Sequence, residues 1–201
     1  MAVKQIRVGP MQNFVYLLVD QGSREAMAID SGFETDPIVE VAQREKMIVK
    51  YAVATHDHFD HVTTLRSLAK RLGAEVVAHE ASGIDPDLRV RGGDELELGQ
   101  ARVRVIHTPG HTEDSICLYD GKNLFTGDTL FIGNCGRTDL PGGSPQKLYH
   151  SLHSTILALP PETLIYPGHD YGDVPSRSLG EERKTNPALL AKGLGAFLGV
   201  E

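Results

Sequence analysis

Thr55-His56-Asp57-His58-Phe59-Asp60-His61 is the stretch that decides how this chain folds. Three imidazoles and two carboxylates fall within six residues, directly after the apolar run Ile48-Val49-Lys50-Tyr51-Ala52-Val53-Ala54. An amphipathic pattern follows, with Val62, Leu65, Leu68 and Leu72 on one face and Gly73 at its end. This reads as strand, tight loop, helix, and such a loop lies where α/β folds bind ligands. Neutral imidazole and carboxylate suit zinc, iron and manganese. A surface loop has no structural need for five such groups so close together.

Outward from this loop the chain alternates short apolar runs with amphipathic ones. Residues 3–8 and 14–20 read as strands, and Gln21-Gly22-Ser23-Arg24 as a turn into a third, Ala26-Met27-Ala28-Ile29-Asp30, closed by Ser31-Gly32. Asp36-Pro37 reads as a helix cap with proline at the first helical position, and the helix is expected to reach Glu45. After the helix at 62–72 come a buried strand at 75–78 and a connecting loop at 81–92. Residues 95–98 and 102–106 form one expected hairpin, and 115–119 with 123–126 a second. Ser144-Pro145 opens a helix carrying Leu148, Leu152, Ile156 and Leu159 on one face. Residues 164–166 form a last strand, and 177–198 are helical, interrupted near Asn186-Pro187. This order implies two sheets packed face to face with helices on both outer faces.

Bulk properties narrow the function. A length of 201 residues suits one domain, and a hydrophobic content of 40% suffices for a full core. The net charge of −7 argues against a nucleic-acid or anionic-membrane partner, and two divalent metals would offset four of those charges. No apolar stretch approaches the roughly 20 residues that span a bilayer, and the N-terminus lacks a signal-peptide core. A cytoplasmic enzyme acting on a small molecule is expected. Cys117 and Cys135 are expected as two reduced thiols, the first in the core and the second lining a site.

Three later segments repeat one design, a strand ending in a glycine turn and a metal-competent side chain. They are Thr108-Pro109-Gly110-His111, Phe125-Thr126-Gly127-Asp128 and Tyr166-Pro167-Gly168-His169. Glycine lets the backbone turn sharply there. The remaining histidines, His79, His107, His150 and His153, lack this context and read as ordinary core or surface residues, the last two sharing one helix face.

The series His-x-His-x-Asp-His followed by His, Asp and His after glycine resembles the metallo-β-lactamase superfamily, over nearly the whole chain. The resemblance implies an α/β, four-layer αββα sandwich, with two mixed β-sheets flanked by helices. It implies a single domain over 1–201, with a short helical tail from about residue 177. By position in the motifs, His56, His58 and His111 would hold a first metal and Asp60, His61 and His169 a second. Asp128 would bridge the two, and Asp57 would hold neither. Asp170, next to a ligand, would support it. Two divalent metals (zinc, iron or manganese) about 3.5–4 Å apart would share a hydroxide that attacks an ester, thioester or amide carbonyl. Asp60 and Asp128 are the catalytic carboxylates on this reading.

Within the superfamily, Gly133-Asn134-Cys135-Gly136-Arg137-Thr138-Asp139, Lys147-Leu148-Tyr149-His150-Ser151 and Glu181-Glu182-Arg183-Lys184-Thr185-Asn186-Pro187 resemble glyoxalase II-type hydrolases and persulfide dioxygenases. Arg137 could hold a substrate carboxylate bidentately, or pair with Asp139. Cys135 is a second candidate for substrate contact. The resemblance implies, for the dioxygenases, one Fe(II) at the equivalents of His56, His111 and Asp128. Three departures stand out. The C-terminal helical region is shorter than in glyoxalase II proper. The turn after His111 reads Thr112-Glu113-Asp114. Val62-Thr63-Thr64 replaces a Gly-rich helix start and is expected to reshape the mouth of the site, while 81–92 and 133–144 are expected to line the cleft. The first reading is a binuclear hydrolase of a small thioester, ester or lactone. The alternative is a mononuclear iron persulfide dioxygenase acting on glutathione persulfide or a similar thiol. A homo-oligomer is compatible with either.

Overall fold

The computed structural model describes residues 1–200. Ala2–Val8 (β1) pairs antiparallel with Asn13–Val19 (β2), and β2 with Glu25–Ile29 (β3). Helix Asp36–Arg44 (α1) leads to Ile48–Val53 (β4), which runs parallel to β3. Phe59–Val62 (α2) and Leu65–Leu72 (α3) then lead to Glu75–His79 (β5) and Leu88–Val90 (β6), both added in parallel. The second sheet begins with the antiparallel meander Glu95–Leu98 (β7), Ala101–His107 (β8), Ile116–Tyr119 (β9) and Asn123–Gly127 (β10). A small hairpin, Leu130–Phe131 (β11) with Asn134–Cys135 (β12), precedes helix Pro145–His150 (α4). Leu164–Pro167 (β13) joins β10 in parallel, and Arg177–Ser178 (β14) closes the edge. The chain ends in three short helices, Leu179–Thr185 (α5), Pro187–Leu190 (α6) and Leu194–Phe197 (α7).

Both six-stranded sheets are therefore mixed, as expected. Side-chain alternation builds the layers. Tyr16 and Leu18 of β2 point between the sheets, with Met27, Val53, Val103, Leu118 and Phe125. Val15, Leu17 and Val19 point the other way, onto Ile38, Ala42 and Leu68 of α1 and α3. Across the molecule, Cys117, Leu124 and Ile165 meet Leu148, Leu152, Ile156 and Phe197. The result is the αββα sandwich, and β2 is buried along its whole length because both its faces are covered. Among the described residues no helix is long and apolar enough to cross a membrane.

Several expectations need local correction. Thr35, not Asp36, occupies the cap position of α1. The helix expected over 62–72 is broken at Thr63-Thr64. The Thr63 hydroxyl donates to the Phe59 carbonyl, and the Thr64 hydroxyl reaches Ser31 O and Gly32 O, both at 3.2 Å. Such side-chain bonds compete with helix continuation. The helix after Ser144 continues as a π turn at Ser151–Thr155, where Ser151 Oγ donates to Pro109 O at 2.8 Å. The loops at 81–92 and 133–144 contain β6 and half of the β11–β12 hairpin, too short to carry a period.

The tail is fastened by a buried carboxylate. Glu182, fully buried, accepts from Gly133 N at 2.8 Å, Asn186 Nδ2 at 2.7 Å and Arg177 Nη1 at 3.1 Å. Asn186 Nδ2 also reaches Phe131 O and Asn134 O at 3.2 and 3.0 Å, so α5 grips both strands of the β11–β12 hairpin. Removing one partner from such a buried network costs about 3 kcal/mol. Glu182→Ala should lower the unfolding free energy measured by chemical denaturation by that amount, whereas Glu181→Ala, on the exposed capping box of the same helix, should cost far less.

Candidate metal centre

The strands deliver their polar ends to one place. β4 runs into Thr55-His56, α2 carries Asp60 and His61, the chain beyond β8 turns at Pro109-Gly110 into His111, and the parallel pair β10 and β13 ends in Asp128 and His169. Two glycines show why the turns are built so. Gly127 has φ +47°, and a Cβ there would lie 2.5 Å from Thr55 Oγ1; a Cβ on Gly168 would collide with Asp128 Oδ1.

All seven side chains assigned by motif position converge. His56 Nε2 and His111 Nε2 lie 3.1 and 3.0 Å from His58 Nδ1, and His61 Nε2 lies 3.2 Å from His169 Nε2. Asp128 stands between the groups. Its Oδ1 is 3.4 Å from His61 Nε2, and its Oδ2 is 3.4 Å from His169 Nε2 and 3.6 Å from His111 Nε2. Asp60 Oδ2 is 3.3 Å from His169 Nε2 and 3.5 Å from His61 Nε2. Three sets have ligand atoms mutually within 4.8 Å: His56, His58 and His111; His56, His61 and Asp128; Asp60, His61 and His169. Atoms bonded tetrahedrally to one metal at about 2.1 Å stand roughly 3.4 Å apart, so the spacing fits metal coordination. Asp128 Oδ1 is buried without a hydrogen bond, which a metal would relieve.

The opposite ring nitrogens are fixed from behind. Thr55 donates to the Asp30 carboxylate through its N–H at 2.8 Å and its hydroxyl at 2.9 Å. His56 Nδ1 lies 3.1 Å from that hydroxyl, and His61 Nδ1 lies 2.9 Å from Asp30 Oδ2. With the Thr55 proton committed to Asp30, both rings donate from Nδ1 and leave Nε2 for a metal. His111 Nδ1 faces Arg137 O at 2.7 Å and His169 Nδ1 faces Met11 O at 2.9 Å. Asn13 Nδ2 holds Asp60 Oδ2 at 3.0 Å.

The charges are unevenly spread. Burial lowers the pKa of His56, and the neighbouring His61 adds to this; burial also lowers that of His111 against the pull of Asp128. Burial acts against charge on His169 too, but hydrogen bonds to Asp128 and Asp60 raise its pKa to about 9. His61 is raised likewise, burial being outweighed by Asp128 and Asp30. Burial would raise Asp60, but His169, His61 and Asn13 bring it down to about 2, and Asp128 is driven down by His61 and His169 against its burial. His56 and His111 are thus neutral and ready to ligate, while His61 and His169 must lose protons to do so.

The site opens into a cavity of about 670 Å³. Arg137 and Cys135 line it, as expected, but Arg137 forms a bidentate pair with Asp139 at 2.5 and 2.6 Å. Residues 133–140 contribute to the wall; 81–92 do not, contrary to expectation. That loop folds back on Asp57, whose Oδ2 accepts from Gly83 N at 2.8 Å. Val62-Thr63-Thr64 also lies off the wall, and Phe59 takes that place. Asp170 supports no ligand; it pairs with Arg7 at 3.4 Å. His79 and His107 stack on each other at 4.1 Å, and His153 stacks on Tyr149, so these three serve packing. Neither cysteine is in a disulfide.

Sequence reasoning missed Asp30, Asn13, Phe131 and Tyr171. Asp30 is an acid at a strand end just before Ser31-Gly32, the reverse order of the glycine-turn segments, and its place at the strand end could have marked it. The others are brought in only by tertiary packing: Tyr171 stacks on His169 at 4.6 Å, and Phe131 meets both edge-on.

Comparison with known proteins agrees with this geometry. A sequence model of the metallo-beta-lactamase superfamily matches residues 8–169. The mitochondrial persulfide dioxygenase ETHE1 of Homo sapiens is 41% identical over 188 residues, covering 88% of this chain and 71% of that protein. A hydroxyacylglutathione hydrolase of Brucella ovis is 38% identical over 166 residues, covering 79% of this chain and 62% of that protein. The crystal structure of ETHE1 from Myxococcus xanthus superposes with a TM-score of 0.94 at 35% identity, over 100% of this chain and 89% of that one.

Asp30→Asn places an amide N–H against the Thr55 hydroxyl or His61 Nδ1. It should weaken metal affinity about 10- to 100-fold in a chelator competition, with the far-UV spectrum retained. Asp170→Asn should leave the affinity unchanged.

Proposed function

This chain belongs to the metallo-beta-lactamase superfamily, and within it we propose that it is a mononuclear iron dioxygenase acting on the persulfide of a small thiol. The observation that carries the proposal is the likeness to ETHE1, which runs through the whole chain at a TM-score of 0.94. The hydrolase, which is the first reading of the sequence, has weaker support, because the Brucella ovis relative matches a smaller share of both chains.

The residues present fit the metal. His56, His111 and Asp128 would hold it, two imidazoles and one carboxylate, the donor set that suits Fe(II) with open positions for substrate and oxygen. Bound there, iron would bring sulfur and oxygen together and carry the electron transfer between them. The reaction balances as R–S–SH + O₂ + H₂O → R–SH + SO₃²⁻ + 2 H⁺, the outer sulfur being oxidised and oxygen reduced.

The chain's own groups prepare this chemistry. The Arg137 carbonyl fixes His111, and Asp30 fixes His56 through Thr55. Both rings present neutral Nε2 atoms. Phe131 and Tyr171 pack against the His169 ring and hold its orientation at the cavity wall. Asn13 holds Asp60 away from free rotation at the cavity wall.

A second reading keeps one specific support. His58 joins His56 and His111 in a three-imidazole set, and Asp60, His61 and His169 form another, which would suit two zinc ions and hydroxide attack on a thioester.

The two readings separate in one set of assays. The purified protein should contain one iron per chain, consume oxygen on addition of a persulfide and release sulfite. Two zinc ions per chain with hydrolysis of S-lactoylglutathione and no oxygen uptake would overturn the dioxygenase. His111→Ala should abolish oxygen uptake. Asp60→Asn should keep it within about tenfold, or about 1.4 kcal/mol in the barrier; a hydrolase would lose far more.

A further inference from the structure

Three segments distant in sequence meet in a polar pocket whose side chains are not part of the cavity wall. Asp57 belongs to the histidine loop but to none of the three ligand sets. Its Oδ2 accepts from Gly83 N at 2.8 Å, and Gly83 comes so close that a Cβ there would stand 3.0 Å from the same oxygen. Asp114 lies in the turn after His111. Its Oδ1 accepts from Thr112 Oγ1 at 2.7 Å, and the Thr112 hydroxyl is itself 2.7 Å from Ser115 Oγ. Ser82, beside Gly83, completes the pocket, with its hydroxyl near enough to Asp114 to draw down the pKa of that acid.

Two oxygens in this pocket are left over. Asp114 and Ser82 are only 3% and 7% exposed, and Asp114 Oδ2 and Ser82 Oγ are both buried without a hydrogen-bond partner. Neither Asp57 nor Asp114 has an ion pair among the described residues. Burial raises the pKa of Asp114, its bond from Thr112 works against this, and the negative charge of Asp57 adds to the rise. A buried carboxylate that faces a second one, with no cation beside it, carries an uncompensated charge. A hydroxyl that stands next to it without bonding to it leaves both oxygens to a third species. The donors on offer, two carboxylates and a hydroxyl, are those of a hard cation.

We propose that Asp57, Ser82 and Asp114 form a calcium site, separate from the histidine cluster. The two carboxylates balance the charge of a divalent ion. Calcium is preferred to magnesium because its shell is irregular and accepts a serine hydroxyl and water, whereas magnesium demands a near-ideal octahedron. Asp57 stands between His56 and His58 in the chain, and Asp114 follows His111 by three residues. The ion therefore ties the loop around Ser82-Gly83 to both segments that carry the first three imidazoles. The site does not depend on which reaction the histidine cluster performs.

The test is a calorimetric titration of calcium chloride into the zinc-loaded full chain, in which zinc already fills the histidine cluster. One calcium per chain should bind with a Kd at or below about 1 mM. At about tenfold excess over that Kd the thermal midpoint should rise by about 2–4 °C. Asp114→Asn keeps the shape of the side chain and removes its charge; it should weaken calcium at least about tenfold and leave the zinc content unchanged. Ser82→Ala should weaken calcium about threefold, and it carries the test if Asp114→Asn does not fold. Glu113→Gln, exposed on the same turn and paired with Lys147, should leave the Kd unchanged. No binding up to about 10 mM calcium would overturn the site and leave the pocket to a water or a proton. Binding that survives both Asp114→Asn and Ser82→Ala would place the ion elsewhere and overturn it as well. Loss of zinc together with calcium in Asp114→Asn would make Asp114 a support of the His111 turn alone. Equal affinity for magnesium would overturn the assignment to calcium.

Discussion

One buried carboxylate organises this molecule's chemistry. Asp30 sits at the end of β3 with φ +60°, a conformation that turns its side chain across the top of β4. It takes two hydrogen bonds from Thr55 and one from His61, and through the Thr55 hydroxyl it sets the tautomer of His56. A single acid thus orients ligands from both halves of the metal cluster. It also locks the start of the histidine loop onto the neighbouring strand, so fold and site share the same bonds. Burying an acid there costs desolvation, which those donors offset.

The second half of the sandwich contributes through a different device. β10 and β13 run parallel and bring Asp128 and His169 side by side, and the tail then folds back so that Glu182 and Asn186 grip the β11–β12 hairpin. That hairpin carries Phe131 and Cys135 into the cavity wall. The C-terminal segment therefore acts on the substrate pocket at one remove, by holding the backbone of the wall, while the metal ligands come from elsewhere. Ligand geometry and pocket shape are set by separate networks, and this is consistent with one ligand set serving different reactions in related proteins.

The convergence of the seven side chains was legible in the sequence because four share one short loop after a strand and three follow a glycine turn at a strand end. His111, Asp128 and His169 each follow such a turn, and all three reach the site. The layer order was legible for the same kind of reason: a nearly continuous apolar run such as Asn13–Val19 reads as a strand covered on both faces without reference to tertiary structure. The pocket wall was not legible. Phe131, Tyr171 and Asn13 reach the site only through packing of distant segments, and no spacing announces them. The loop at 81–92 was misplaced for the converse reason: its tie to Asp57 is a long-range contact. The helix break at Thr63-Thr64 depends on carbonyls of residues 31 and 32, which lie far off in sequence. The order of the two activities was also hidden, since the same seven ligands serve either; similarity over the whole chain is what favours the dioxygenase.

On the proposed reading the working enzyme holds one iron, between His56, His111 and Asp128. Anomalous diffraction from crystals of the protein as isolated, collected above and below the iron absorption edge, tests it most directly. A single iron peak bounded by those three side chains is expected, with none between Asp60, His61 and His169. Two peaks, or a zinc signal at both positions, would contradict it.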